Sequence, residues 1–325
     1  MDVNLEQLRA FVEVAQVGNF TRAAERLHLA QPSLSRQITT LEQDLGTELF
    51  HRARRGSTLT VAGESLLPLA RRMLADADSV RRELAELAGL QRGRVRLGAT
   101  PTLCVSLVAE VFAAFHAAHP GIELHLSENG SRRLLEELGA GELDLALITT
   151  SHGVATDRFT VAPLLVEELV VVSSHAVPPV TAHDAISLAE VAALPQIVFS
   201  PTYDLRATTD AAFRAAGVTP AAVVEGAEMD AVLRFVERGL GVAIVPAMVL
   251  IERPGLRSVR LREPTLTRTI SVARPADIAP AAAVRVLQRT IARTAADLAA
   301  AAADTMRLAD AVDDVDRGGD RSSSP

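Results

Sequence analysis

Along the first fifty residues, apolar positions recur every three or four places in three short runs separated by glycine or proline, which is the mark of amphipathic helices. Leu5, Leu8, Val12 and Ala15 share one face of a first helix, which Asn4 can cap and Gly18 can end in a left-handed turn. Asn19 or Thr21 caps a second helix with Ala23, Ala24 and Leu27 inward, and a tight connection through Leu29, Ala30 and Gln31 brings Pro32 to the start of a third. In that third helix Leu34, Ile38, Leu41 and Leu45, spaced 4, 3 and 4, form one stripe, and Gly46 stands where a C-terminal cap belongs. At about 100° per residue, Arg36 points away from the stripe, with Pro32, Thr39, Thr40 and Gln43 around it and Ser33, Ser35 and Gln37 on its flanks. This face carries hydrogen-bonding groups and no acid. Just beyond it, His51, Arg52, Arg54 and Arg55 make a basic loop before Leu59 and Thr60.

From residue 60 to about 90 the pattern becomes one long helix, in which Leu66, Ala70, Met73, Ala77, Val80, Leu84 and Leu87 recur at spacings of 4, 3, 4, 3, 4 and 3. A strict 3.5-residue period is narrower than a helix lying on its own domain needs, so this stripe is expected to pair with a partner helix. Pro68 sits in its first turns. After a linker at 91–93 the texture alternates: strands are expected at 94–98, 122–127 and 143–149, with helices at 105–116 and 132–138. A second series places strands at 168–173, 196–199, 222–225 and 241–245, with helices at 208–216 and 231–237, and a late strand at 268–273 returns to the first unit. Alternation of this kind predicts parallel sheets in two α/β units, 94–165 with 265–280 and 166–264, joined by two crossovers with a cleft between them. Residues 281–308 are expected to form a separate C-terminal helix, and 309–325 an acidic disordered tail.

Composition narrows the function. The chain has 325 residues, 48% of them hydrophobic and 22% charged, which suits several folded domains. Its net charge of -7 argues at first against nucleic acid, yet from Asp297 onward seven Asp stand against three Arg, so much of the excess lies in the tail. All basic side chains are Arg, whose planar fork suits phosphate and guanine. One cysteine, Cys104, allows no intramolecular disulfide and no multi-thiolate zinc site, and fits a reducing cytoplasm. The first ten residues show no signal-peptide pattern and no stretch reaches eighteen uncharged apolar residues, so neither export nor a membrane span is expected. No Walker A loop, Gly-x-Ser-x-Gly elbow or metal-ligand cluster supports catalysis, a metal or a cofactor. A solute-binding protein would fit residues 93–275 alone, but not the helices in front of them.

Two short helices, a tight turn and a third helix with an exposed polar face satisfy the helix-turn-helix signature. The stretch from Leu5 to Gly63 resembles the LysR-type bacterial transcriptional regulators through Leu8, Phe11, Ala15, Gly18, Phe20, Thr21, Ala23, Ala24, Leu27, Gln31, Pro32, Ser33, Ser35, Ile38, Leu41, Glu42, Leu45, Gly46, Leu49, Phe50, Arg52, Leu59, Thr60 and Gly63. The likeness continues weakly in the Gly-Glu-Leu-Asp-Leu-Ala run from Gly141 and the Gly-Leu-Gly-Val-Ala-Ile-Val-Pro run from Gly239, and reaches about residue 275. It implies an α/β fold with an all-α winged helix-turn-helix domain in front (1–59), a long dimerisation linker helix (60–90), and a two-subdomain effector domain of periplasmic-binding-protein type (91–280). It also implies a dimer or tetramer on promoter DNA that switches with a small effector and contacts RNA polymerase. No enzyme activity is implied.

The DNA-reading candidates are Thr21, Gln31, Pro32, Ser33, Ser35 and Arg36, with Arg52, Arg54 and Arg55 in the wing. Arg36 can donate two hydrogen bonds to guanine, Gln31 or Ser33 can read base edges, and the wing arginines suit phosphate or a narrow minor groove. In the cleft, strand ends and helix N-termini nominate Thr100, Pro101, Thr102, Asn129, Ser131, Thr149, Thr150, Ser200, Thr202, Val245 and Pro246. Hydroxyls beside helix starts favour a small carboxylate or similar anion, while plain capping and turn chemistry is the alternative for each residue. Cys104, near a helix start, is a candidate for a lowered pKa against the simpler reading of a small apolar residue.

Overall fold

The computed structural model describes residues 3–53, 56–86, 93–150, 158–201, 203–251 and 253–309. Three helices open the chain: α1 (Leu5–Val17), α2 (Phe20–Arg26) and α3 (Gln31–Leu45). Asn4 caps α1 in a reciprocal box with Gln7, Asn19 caps α2, and Gly18 and Gly46 end α1 and α3 with φ of 66° and 68°. The third helix starts one residue before Pro32, with Ala30 at its cap. Leu8, Phe11, Val14, Leu34, Ile38 and Leu41 meet in a closed core. The basic segment expected as a loop is a hairpin of β1 (Phe50–Ala53) and β2 (Gly56–Leu59), paired Phe50 to Leu59. It is pinned by Phe50, whose ring lies 5.4 Å from Phe11 and 5.5 Å from Phe20, and by the Ser57 N–H donating to the Gly18 carbonyl at 2.8 Å. Arg54 and Arg55 lie outside the described residues.

Helix α4 (Val61–Glu86) begins where Thr60 Oγ1 accepts the Gly63 N–H at 3.1 Å. Its first turns belong to the head: Ala70 is 0% exposed in that core, and Leu66, Leu67 and Leu74 pack against it. Ala70 is therefore a core residue and not a dimer contact, and Leu66 leans the same way. A helix that leaves a small domain must first cover that domain's open face, which shifts the outward stripe to Leu69, Met73 and Val80, all more than half exposed. Ala77 is half-buried; the Leu84 side chain and Leu87 lie outside the described residues.

The first α/β unit comprises β3 (Gly93–Ala99), the short helix α5 (Pro101–Leu103) running through a π-helical stretch Cys104–Val108 into α6 (Ala109–Ala118), then β4 (Ile122–Glu128), α7 (Ser131–Gly139) and β5 (Leu145–Thr150). The segment Pro101–Ala118 has the length and hydropathy of a membrane-crossing helix, but its Leu103, Leu107, Val111 and Phe115 fill the domain core. Strands β4, β3 and β5 are parallel as expected.

The long strand β6 (Phe159–Ser174) then runs through both units. The second unit continues with β7 (Ala185–Ser187), α8 (Leu188–Ala192), β8 (Pro195–Phe199), α9 (Asp204–Ala215), β9 (Ala221–Ala227), α10 (Met229–Glu237), β10 (Ala243–Pro246) and β11 (Leu256–Arg262). Strand β12 (Thr267–Pro275) returns to the first unit, pairing with β5 and β6. The crossovers are β6 itself near Glu167 and the passage from β11 to β12. Alternation predicts parallel sheets throughout; instead β12 is antiparallel to β5 and β6, and β10 and β11 are antiparallel to β6. A strand that enters the neighbouring unit and one that returns must run in opposite senses, so two crossovers between abutting sheets impose the mixture.

The alanine-rich helix is not a separate appendage. In α11 (Ala282–Ala301), Ala283, Val284, Leu287, Ile291, Ala295 and Ala299 recur at helical spacing and join the main core. It ends at Ala301 rather than near 308, and β13 (Met306–Leu308) adds to β6 opposite Glu167 to Leu165. The acidic tail from residue 310 lies outside the described residues.

Candidate functional site

On α3 the sealed side is Leu34, Ile38 and Leu41, and the opposite side presents Gln31, Pro32, Arg36, Thr39 and Thr40 to solvent. Ser33 and Ser35 are half-buried at its edges, and Thr21 at the start of α2 is exposed. Gln31 Nε2 donates to Ser35 Oγ at 2.9 Å, and Arg36 Nε reaches the Pro32 carbonyl at 3.4 Å, which leaves the outer guanidinium nitrogens turned outward. The backbone of Arg52 lies in β1 of the same small domain. The nominated face is thus continuous, uncharged apart from Arg36, and backed by a rigid core.

The second site is a cavity of about 200 Å³ between the two α/β units, lined by Thr100, Pro101, Thr102, Gly130, Thr149, Leu169, Tyr203, Asp204, Leu205, Thr208, Glu228 and Arg268. Four of its walls are residues nominated from sequence: Thr100, Pro101, Thr102 and Thr149. Its floor has no counterpart among the sequence nominations. Glu167, 0% exposed, accepts from Arg268 Nε at 2.8 Å and from the Met248 N–H at 3.1 Å, while Arg268 Nη1 donates to Thr102 Oγ1 at 3.0 Å. Thr102 therefore positions Arg268 and does not cap its helix; Thr100 stands at the cap position without a side-chain bond. Arg268 Nη2 lies 2.7 Å from the same Glu167 oxygen but makes no aligned hydrogen bond, and Thr100 Oγ1 and the Tyr203 hydroxyl are likewise buried without partners. Burial pushes the Tyr203 phenol pKa up, Arg268 opposes the shift, and the carboxylates of Glu228, Glu128 and Asp204 reinforce it. Tyr203 is held by its ring, stacked on Phe199 at 4.9 Å.

Across the mouth, Asp204 at the start of α9 accepts from the Ser131 N–H at 3.1 Å and from Ser131 Oγ at 2.9 Å at the start of α7, so the two units are bridged there. Ser131 also bonds Thr149. The remaining nominations do not line the cavity. Asn129 is turned to Ser127 and Glu137, at 3.1 and 3.0 Å, because a buried carboxylate there needs its donors. Ser200 forms the turn into α9. Val245, 0% exposed, and Pro246 pair with Val170 and Leu169 of β6, since this strand lies inside the second sheet rather than at its rim. Thr202 and the Thr150 side chain lie outside the described residues. The Cys104 thiol is pushed up to about 12 by burial and by Glu128, the reverse of activation.

Residues 5–64 match the bacterial regulatory helix-turn-helix protein, lysR family, and residues 88–296, more than half the chain, match the LysR substrate binding domain. The chain belongs to the LysR family. It is 32% identical over 270 residues to an uncharacterized HTH-type transcriptional regulator, YybE of Bacillus subtilis, covering 82% of this chain and 91% of that protein. It is also 32% identical over 276 residues to a probable nitrogen assimilation transcriptional activator of Synechococcus elongatus, covering 84% and 89%. Among solved structures, a full-length OxyR variant from Pseudomonas aeruginosa superposes with a TM-score of 0.69 at 26% identity, covering 91% of this chain and 95% of that one. As a LysR regulator the protein is a DNA-binding transcriptional regulator and not an enzyme, with a helix-turn-helix head and an effector-binding domain. The helix face and the cavity described above are the candidate working surfaces of those two parts.

The linker helix connects them. Arg71 pairs with Glu142 at 3.1 Å, Arg72 pairs with Asp277, and Gly141, with φ of 71°, makes room for Ala75, whose Cβ leaves no space for a methyl group there. None of these contacts is legible in the sequence, although Gly141 opens the run that carries the family likeness.

Proposed function

We propose that this LysR regulator reads promoter DNA through α3, with Arg36 on a guanine and Gln31 and Ser33 at base edges, while the arginines of the β1–β2 hairpin grip phosphate or the minor groove. Two chains pair through the outward stripe of α4 that includes Met73 and Val80, and pairs assemble into tetramers in the cytoplasm. The switch is a small molecule with an anionic group, bound between the two α/β units. The single observation that carries the effector reading is one cavity whose walls hold Arg268, ion-paired with the buried Glu167, together with Thr100 and Tyr203, whose buried hydroxyls have no hydrogen-bond partner. A buried hydroxyl without a partner costs about 1–3 kcal/mol, which a ligand group that reaches it would offset. Closing the cleft changes the angle between the units, and α4, tied to the first unit through Arg71 and Arg72, carries that change to the heads and to the bend of the DNA.

The test is a footprint titration on the DNA upstream of its own gene and of the divergent neighbour, repeated with a panel of small carboxylates. A footprint that shortens or shifts with one compound supports the proposal. A footprint unchanged by every compound removes the anionic effector and leaves the DNA reading in place.

A further inference from the structure

We infer that the effector is zwitterionic, an aminocarboxylate of amino-acid size, with its carboxylate at Arg268 and Thr100 and its ammonium group at Glu228. The inference rests on the cavity being the effector site and adds the charge of the ligand's other end. The cavity is not a simple anion hole. Its one guanidinium is already neutralised by Glu167, and two further carboxylates, Asp204 and Glu228, stand in its walls. Asp204 is partly satisfied by the two hydrogen bonds from Ser131, at the N-terminal end of α7 where the helix dipole favours negative charge. Glu228, exposed at the start of α10, accepts no side-chain hydrogen bond among the described residues.

A bare anion entering this cavity meets local donors at the floor, but more carboxylate than cation overall. Asp204 and Glu228 are both exposed at the mouth, so this repulsion acts under solvent screening and is largest at low salt. A ligand carrying its own cation reverses the sign at the mouth while keeping the floor contacts. The Thr100 hydroxyl, without a partner in a residue 4% exposed, and the guanidinium of Arg268, which it shares with Glu167, set the anionic end; Glu228 sets the cationic end. The small cavity volume limits the body between them.

The full-length protein is titrated with the twenty standard α-amino acids and with the deaminated carboxylic acid of each carbon skeleton, reading the thermal midpoint and the apparent Kd. The expected result is at least one pair in which the amino acid binds roughly tenfold or more tightly than its deaminated partner. In that pair, Glu228→Gln narrows the ratio, whereas Thr100→Val weakens both members and leaves the ratio in place. Deaminated acids binding as tightly as the amino acids overturn the zwitterion and keep the anionic effector. Simple alkylamines binding as tightly as amino acids overturn the anionic floor itself, and an absence of binding by every member of the panel overturns both.

Discussion

The face of α3 and the cavity between the two α/β units are both polar surfaces on apolar cores, but they hold their polar groups in different ways. On α3 most hydrogen-bonding groups are exposed or paired with one another, as Gln31 is with Ser35, and Gln37 Oε1 at the edge of the face is the buried exception. In the cavity the Thr100 and Tyr203 hydroxyls are buried without a hydrogen-bond partner, beside the Arg268–Glu167 ion pair, whose carboxylate is 0% exposed. An exposed donor costs the fold almost nothing, whereas a buried unpaired one costs about 1–3 kcal/mol. Substitutions on the α3 face are therefore expected to cost the fold little, whereas a buried hydroxyl without a partner is a standing cost to it.

The largest expected effect comes from the cavity floor. Arg268→Gln leaves Glu167 buried without its cation and is expected to cost about 3–5 kcal/mol in urea unfolding, whereas the double replacement Arg268→Met with Glu167→Met recovers most of the loss. The head offers no such residue on its reading face: Arg36→Ala should move the unfolding free energy by less than about 0.5 kcal/mol. Equal costs for Arg268→Gln and Arg36→Ala would erase the contrast. Next in size is Cys104. With its pKa near 12 against about 8.5 for a free thiol, its thiolate is scarce at pH 8, and alkylation of the folded protein should run more than about a hundredfold slower than that of a free cysteine. The rate should rise with pH well beyond 9. Fast labelling at pH 8 would make this stretch of the effector domain a thiol-reactive site and not only part of its core.

A smaller effect is expected where the two regions are joined. Gly141→Ala puts a methyl group against Ala75 in a left-handed backbone, which should cost about 1–3 kcal/mol in thermal melts and push α4 away from the effector domain. The expected outcome is DNA binding that persists with a footprint no longer sensitive to the effector. A footprint that still responds as in the unaltered protein would show that the signal travels by another route.

How much of this is legible in the sequence follows from the distance between partners along the chain. The head is built from neighbours: caps at Asn4 and Asn19, the glycines ending α1 and α3, and the stripe of α3 lie within fifty residues, and local periodicity reveals them. The cavity joins Thr102 to Arg268 and Arg268 to Glu167 across more than a hundred residues, and no periodicity reports such pairs. A signal is present: Glu167 and Arg268 are charges inside strands otherwise apolar enough to be buried, which is tolerable only if they meet. The spacing of α4 marks an apolar stripe but not whom it serves, and its first positions belong to the head, which displaces the outward set. Strand ends nominate Thr100 and Thr149, which line the cavity, and also Val245, which does not, because the rule does not distinguish a rim strand from an interior one.

The smallest stability effect, and the sharpest specificity effect, belongs to Arg36. Its Nε lies 3.4 Å from the Pro32 carbonyl on the first turn of α3, so the outer guanidinium nitrogens keep a free, planar pair of donors. A fork of that kind matches the O6 and N7 acceptors of guanine in the major groove. Arg36→Ala should therefore cost about 1–3 kcal/mol for operators that carry guanine at one position and almost nothing for operators that do not. Selection of binding sites from a random DNA pool by the two proteins checks this directly. Relaxation at one position with the rest of the site unchanged is the expected result. A uniform loss across all sequences would instead place Arg36 on phosphate, and would move base reading to Gln31 and Ser33 on the same face.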